Sequence, residues 1–159
     1  RRSIDADVGM STMATVGEHL VVGYLDGNIE VRSADSDSDS APLLLNDVPS
    51  SAVTSVIEGP GETVVAGYGN GLVGLWSLET GMLLRSVGLH GPVLHLLVDG
   101  SHLIAATELG SAVALDISVF QGDYCSLLAE IWREVPLTWS EGRIEVGAPP
   151  NDHECSVNQ

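Results

Sequence analysis

The chain has 159 residues, room for one domain with an appendage at about 100 to 200 residues per domain. Its 44% apolar content suits a folded chain, and 22 acidic residues against six arginines give a net charge of −16 that repels phosphate backbones and anionic lipid. Nucleic acid is therefore not an expected partner, and membrane insertion is not expected either. The most apolar region, Pro92 to Phe120, is broken by Asp99, Glu108 and Asp116 before it reaches a spanning length.

The first residue is Arg1 rather than methionine, so a processed chain, a trimmed chain or the tail end of a longer protein is expected, and residues 1–9 read as a lead-in. From Met10 the sequence repeats. Gly17-Glu-His-Leu-Val-Val-Gly-Tyr-Leu-Asp-Gly-Asn-Ile-Glu-Val-Arg32 aligns with Gly61-Glu-Thr-Val-Val-Ala-Gly-Tyr-Gly-Asn-Gly-Leu-Val-Gly-Leu-Trp76, and both align with Gly100 to Asp116. The offsets are 44 and then 39 to 40 residues. Each unit contains two short Val-rich runs around a tight turn, and Asp26-Gly27 and Asn70-Gly71 supply the positive φ that hairpin turns require. Apolar runs at Met13 to Val16, Val53 to Ile57 and Val93 to Val98 precede them, and Met82 to Val87 follows the second unit. Strands this short at a period near 40 predict an all-β chain of about three propeller blades, at 10–34, 52–88 and 89–119.

Between the first two units, residues 33–51 read as an acidic Ser/Asp loop. Ser36, Ser38 and Ser40 alternate there with aspartates, which makes them candidates for an acid-directed kinase. Residues 120–147 read as a helix plus hairpin. Leu127, Leu128, Ile131, Trp132 and Val135 recur at helical spacing after Asp123, a suitable N-cap, and Pro136 ends the helix. Leu137 to Ser140 and Arg143 to Val146 form the hairpin, with a blade edge as its candidate partner. Residues 148–159 read as a disordered tail.

The stretch from Leu72 to Val93 resembles the WD-repeat family: Trp76-Ser77 stands for Trp-Asp, Thr80-Gly81 for the following turn, and His90-Gly91 for the Gly-His that introduces the next blade. The resemblance runs from about Met10 to Ser118. It implies blades locked by hydrogen bonds among a His, a Ser or Thr, a turn Asp and the Trp. No unit keeps that set, because the Trp76 unit has Asn70 at the turn and Ser50 at the His position. The unit introduced by His90 has Gly110 and Asp116 in place of the Asp and Trp.

A propeller closes with about four to eight blades, so the remaining blades are expected from upstream sequence or from another chain. The resemblance implies a non-catalytic protein-binding scaffold, the C-terminal part of a larger propeller protein in complex assembly. Its partners would be other proteins, with basic surfaces suited to the acidic charge. The alternative is the substrate-recognition or regulatory tail of a larger enzyme, a kinase or ubiquitin-ligase subunit, with catalysis upstream. Tyr24, Tyr68, Trp132 and Trp139 are the candidate partner contacts, since aromatic residues anchor interfaces.

Other chemistry finds little support. Gly69-Asn-Gly-Leu-Val-Gly74 satisfies a dinucleotide-binding pattern but lacks the helix that reading needs, so no cofactor is expected. His153, Cys155 and Cys125 lack zinc-site spacing, and nothing places a base beside Cys125, so neither a metal site nor a catalytic residue is expected. Two cysteines cannot build a disulfide framework, which suits a reducing compartment; the cytoplasm is the expected location, with the nucleus as the alternative.

Overall fold

The computed structural model describes residues 9–33, 41–45, 50–140, 142–146 and 155. The chain divides into two compact units at Ile117/Ser118. In the first unit, three antiparallel sheets follow one another along the chain. Sheet one has the order β1 (Met10–Val16), β2 (His19–Tyr24), β3 (Ile29–Ser33) and β4 (Leu43–Leu45). Sheet two repeats it with β5 (Val53–Glu58), β6 (Thr63–Tyr68), β7 (Leu72–Ser77) and β8 (Leu83–Gly88). Sheet three holds β9 (Val93–Asp99), β10 (His102–Thr107) and β11 (Ala112–Asp116).

These are simple meanders, and their local chemistry repeats as closely as their topology. The turn between second and third strands is closed each time by a glycine N–H donating to the carbonyl three residues back: Gly27 to Tyr24, Gly71 to Tyr68 and Gly110 to Thr107, at 3.2, 3.0 and 3.1 Å. All three glycines have positive φ, a conformation that a side chain would strain. Asp26 and Asn70 fix the turns through side-chain oxygens that accept from the amides of Asn28 and Leu72. Each pairing of first and second strands also carries a bulge at one equivalent place, between Met10 and Thr12, between Val53 and Ser55, and opposite Val93 between Ala106 and Thr107.

The core lies between the sheets. Strand β6 is buried along its whole length, which is why Thr63 to Tyr68 reads as a continuous apolar run rather than an alternating one. Val21, Ile29, Val31 and Leu45 of the first sheet form one cluster with Val53, Val56, Val64, Ala66, Tyr68 and Trp76 of the second.

Three expectations are corrected here. The region 33–51 is not loop throughout: Ser33 ends β3, and β4 at Leu43–Leu45 pairs with it, Ile29 opposite Leu45, so the first blade has four strands. The hairpin of the second unit, β12 (Leu137–Ser140) and β13 (Arg143–Val146), pairs with itself as a two-stranded sheet rather than extending a blade edge. Cys155, read as part of a disordered tail, is buried and bonded to Cys125 in a disulfide spanning 30 residues. Two cysteines without a short motif give no local signal of pairing. The remainder of 148–159, most of the lead-in 1–9, and Ser36, Ser38 and Ser40 lie outside the described residues.

In the second unit, a single 3-10 turn (Ser118–Phe120) leads to α1 (Tyr124–Glu134). Asp123 caps the helix by accepting from the Ser126 amide at 2.9 Å, and the helix ends before Pro136, which cannot continue it.

Candidate protein-interaction surface

Successive blades pack through one repeated contact. In blade one, Gly23 on β2 is pressed by Val53 of blade two, whose Cβ would lie 2.7 Å from any Cβ added to that glycine. In blade two, Gly67 meets Val93 of blade three in the same way, at 2.8 Å from its Cβ and 2.5 Å from Cγ1. Glycine within a strand here marks close approach by a neighbour. Each blade thus has a trailing face, carrying the glycine, and a leading face, carrying the valine.

The trailing face alternates along the strands with the leading one. Gly23 pairs with Ile29 and Val21 with Val31; Gly67 pairs with Val73 and Val65 with Leu75. All of these side chains are buried. On the leading face of blade two, Trp76 is fully buried and its indole lies over Gly74, where an added Cβ would come within 2.2 Å of the ring. Tyr68 stacks beside it with ring centroids 6.0 Å apart.

The hydrogen-bond lock implied by the family resemblance is absent from this blade. Ser50 donates instead to the Asp26 carbonyl at 3.1 Å, and Asn70 is engaged by Leu72. Trp76 Nε1 and the Tyr68 hydroxyl are buried with no hydrogen-bond partner among the described residues. Burial alone pushes the Tyr68 phenol far above its ordinary pKa. Shape rather than polar bonding therefore holds Trp76.

Blade one replaces this aromatic pair at equivalent positions. Tyr24 donates to Glu30 at 2.9 Å, and Arg32 donates to the same carboxylate through Nε and Nη2 at 3.0 and 2.9 Å. Tyr24, Glu30 and Arg32 stand where blade two has Tyr68, Gly74 and Trp76, each 44 residues later. Desolvation first, and the Glu30 carboxylate second, raise the Tyr24 pKa.

The remaining signature residues are structural in their surroundings. The Thr80 hydroxyl accepts from the Met82 amide at 3.3 Å, and Gly81 takes a φ of 72°. The His90 carbonyl accepts from the Thr107 hydroxyl at 2.8 Å, and Gly91, with φ of 93°, packs against Leu109. The dinucleotide-like glycines Gly69 to Gly74 run from a turn into β7, a strand, where no helix N-terminus faces a phosphate.

Two of the four proposed contact residues are corrected. Tyr68 is fully buried and Tyr24 is 6% exposed, so neither presents its ring to a partner. Tyr68 packs between blades one and two, whereas Tyr24 is held by Glu30 within its own blade. Trp132 is half-buried on α1, and Trp139 stands opposite Ile144 in the hairpin. Gly23, Gly67, Val53 and Val93 are not among the expected site residues, although a strand glycine recurring 44 residues apart is a signal for them in the sequence. Cys125 and Cys155 spend both sulfurs on each other.

No family model matches the sequence. Over 96 residues it is 34% identical to eukaryotic translation initiation factor 3 subunit I of Culex quinquefasciatus, a match covering 55% of this chain and 29% of that protein. Over 112 residues it is 32% identical to the same subunit of Drosophila willistoni, covering 67% of this chain and 34% of that protein. The chain spans about a third of the length of the curated relatives it matches. Among solved structures, the β-propeller domain of Cps50 (Swd1) from Myceliophteria thermophila superposes with a TM-score of 0.58 at 19% identity, covering 69% of this chain and 36% of that one. Antiparallel meanders at a period near 40, one blade-to-blade contact used twice, and these likenesses agree on a fold of β-propeller blades of the WD-repeat kind.

Proposed function

We propose that this chain is a non-catalytic protein-binding scaffold, part of a larger propeller assembly that brings proteins together in a complex. The observation that carries the reading is the row of interlocking blades, stable against one another, in which blades one and three each have a single blade packed against them among the described residues. The likeness to a subunit of a translation initiation factor supports assembly work in the cytoplasm over a recognition tail attached to an enzyme. The Cys125–Cys155 bond qualifies that location, because cytosolic disulfides are uncommon and are mostly redox-responsive. A surface of net charge −16 favours basic protein partners, whose association would weaken as salt rises.

The test is quantitative affinity purification of the protein from its own cells at two ionic strengths. One protein partner recovered at fixed stoichiometry, and lost progressively between low and high salt, is the expected result. Recovery without any stoichiometric partner would overturn the scaffold reading. Retention undiminished by salt would overturn the basic-surface part alone.

A further inference from the structure

Thiol chemistry is confined to the second unit. Cys125 and Cys155 both lie there and bond to each other, and the blades contain no cysteine. Cys125 stands in the first turn of α1, and the loop that its bond closes contains the rest of the helix and both strands of the hairpin. One covalent link therefore ties together the elements of the unit that follow the 3-10 turn.

Little else holds them. The unit, Ser118–Gln159, falls well below the ~70 to 80 residues under which one hydrophobic core rarely suffices without a staple. Among its described side chains only that of Cys155 is buried. Leu127, Leu128 and Trp132 are half-buried on α1, whereas Ile131, Val135, Leu137, Ile144 and Val146 are exposed. The Glu130–Arg133 pair lies at the surface at 3.6 Å and adds little. A helix of 11 residues is marginal in water by itself, so α1 depends on whatever keeps its half-buried face covered. The blades are different, since the cluster of buried residues that joins the first two draws on no residue of the second unit.

We propose that Cys125–Cys155 is a reversible thiol–disulfide switch that orders α1 and the hairpin when oxidised and lets them open when reduced, with the blades unchanged. Access is one-sided: Cys125 is half-buried and Cys155 is 4% exposed, so an incoming thiolate attacks Cys125. The reductant is a cellular dithiol. Its sulfur bonds to Cys125 Sγ, the Cys125–Cys155 bond breaks, and Cys155 leaves as a thiolate that takes up a proton. The dithiol's second sulfur then displaces Cys125 Sγ, which is protonated in turn. Two electrons thus pass to the protein, and the dithiol departs as a disulfide. A small disulfide such as oxidised glutathione runs the exchange in reverse. In the reduced state the stripe from Leu127 to Trp132 is uncovered and α1 becomes open to proteolysis.

Trypsin reads the switch site by site, because the chain has six arginines and no lysine. Arg133 and Arg143 lie in α1 and β13, while Arg32 and Arg85 lie in the paired blade strands β3 and β8. The intact protein is digested as purified without reductant, after reduced thioredoxin, and after reoxidation with oxidised glutathione, and cleavage at each arginine is followed by mass spectrometry. Reduction should speed cleavage after Arg133 at least tenfold, leave Arg32 and Arg85 as they were, and be reversed on reoxidation. A bond that thioredoxin leaves intact, cysteines that oxidised glutathione does not rejoin, or equal cleavage after Arg133 in the two states overturns the switch. Equal acceleration at Arg32 and Arg85 overturns its confinement to the second unit. Cys155→Ser should be cut quickly after Arg133 with or without reductant, and a slowly cut variant overturns the dependence on the bond. None of these outcomes bears on the scaffold reading, which concerns the blades.

Discussion

Strands β7 and β11 occupy the same place in successive blades, yet they live in different surroundings. β7 pairs with β6 on one side and β8 on the other, and Val73 to Trp76 are buried. Among the described residues β11 pairs with β10 alone, and its residues alternate between exposed and half-buried. The sequences follow: Leu-Val-Gly-Leu-Trp in the strand covered on all sides, Ala-Val-Ala-Leu-Asp in the one that is not. A blade is therefore only as buried as its neighbours make it, and repetition of the fold does not imply repetition of the stability.

The sharpest way to break that comparison is to truncate Trp76 and Leu115, which the strand pairings set at one position, Trp76 opposite Val64 and Leu115 opposite Leu103, so that Leu115 rather than Asp116 stands in place of the Trp. Trp76→Ala should cost about 3 to 5 kcal/mol, because the ring is fully enclosed and Gly74 beneath it cannot fill the hole. Leu115→Ala, half-buried, should cost about 1 to 2 kcal/mol. Denaturant unfolding of both variants under one set of conditions gives the pair of values; equal losses would mean that the two blades are packed alike.

Next in size is the disulfide, which sharpens the contrast between the blades and the second unit. A 30-residue loop closed by Cys125–Cys155 stabilises by about 3.5 kcal/mol in the chain-entropy account. Reduction should increase hydrogen exchange at the amides of α1 while leaving those of β6 protected. Loss of protection in β6 to the same extent would show that the blades depend on the second unit.

Gly67→Ala tests the contact between blades itself. Its Cβ would meet Val93, at a cost of about 1 to 3 kcal/mol from overpacking. The double variant Gly67→Ala, Val93→Ala should lose less than the two single changes added together, since each relieves the other's misfit. Strict additivity, measured by thermal unfolding, would separate the two residues energetically.

What could be read from the sequence was whatever repeats locally. The 44-residue offset, Asp26-Gly27, Asn70-Gly71 and the run ending in Trp76 led to strands and turns because hairpin chemistry is confined to a few neighbouring residues. Strand β4 escaped because three leucines beyond an acidic stretch carry no alternation to distinguish strand from loop. Tyr24 and Tyr68 were noticed for their recurrence, but a single aromatic does not reveal which face will be covered. That depends on the next blade, 40 residues away. The disulfide depends on two distant positions meeting in space, and nothing near either cysteine announces it.

The smallest expected effect concerns the helix cap of the second unit and is a matter of pH. The Ser126 side chain first, and its backbone amide second, hold the Asp123 carboxyl below its ordinary range. A carboxyl lowered in the folded state contributes its stability above the unfolded pKa of about 3.9 and loses it as pH falls through the folded value. Helicity of α1 should therefore decline at the acid end of a titration from pH 6 downward. Asp123→Asn should keep the cap and flatten that decline, since asparagine caps without titrating, whereas Asp123→Ala should lower helicity at every pH. The amide shifts of Ser126 and Leu127, followed by nuclear magnetic resonance, measure all three. If the Asp123→Asn protein follows the same acid profile as the native one, the decline belongs to another carboxylate and the cap makes no contribution to it.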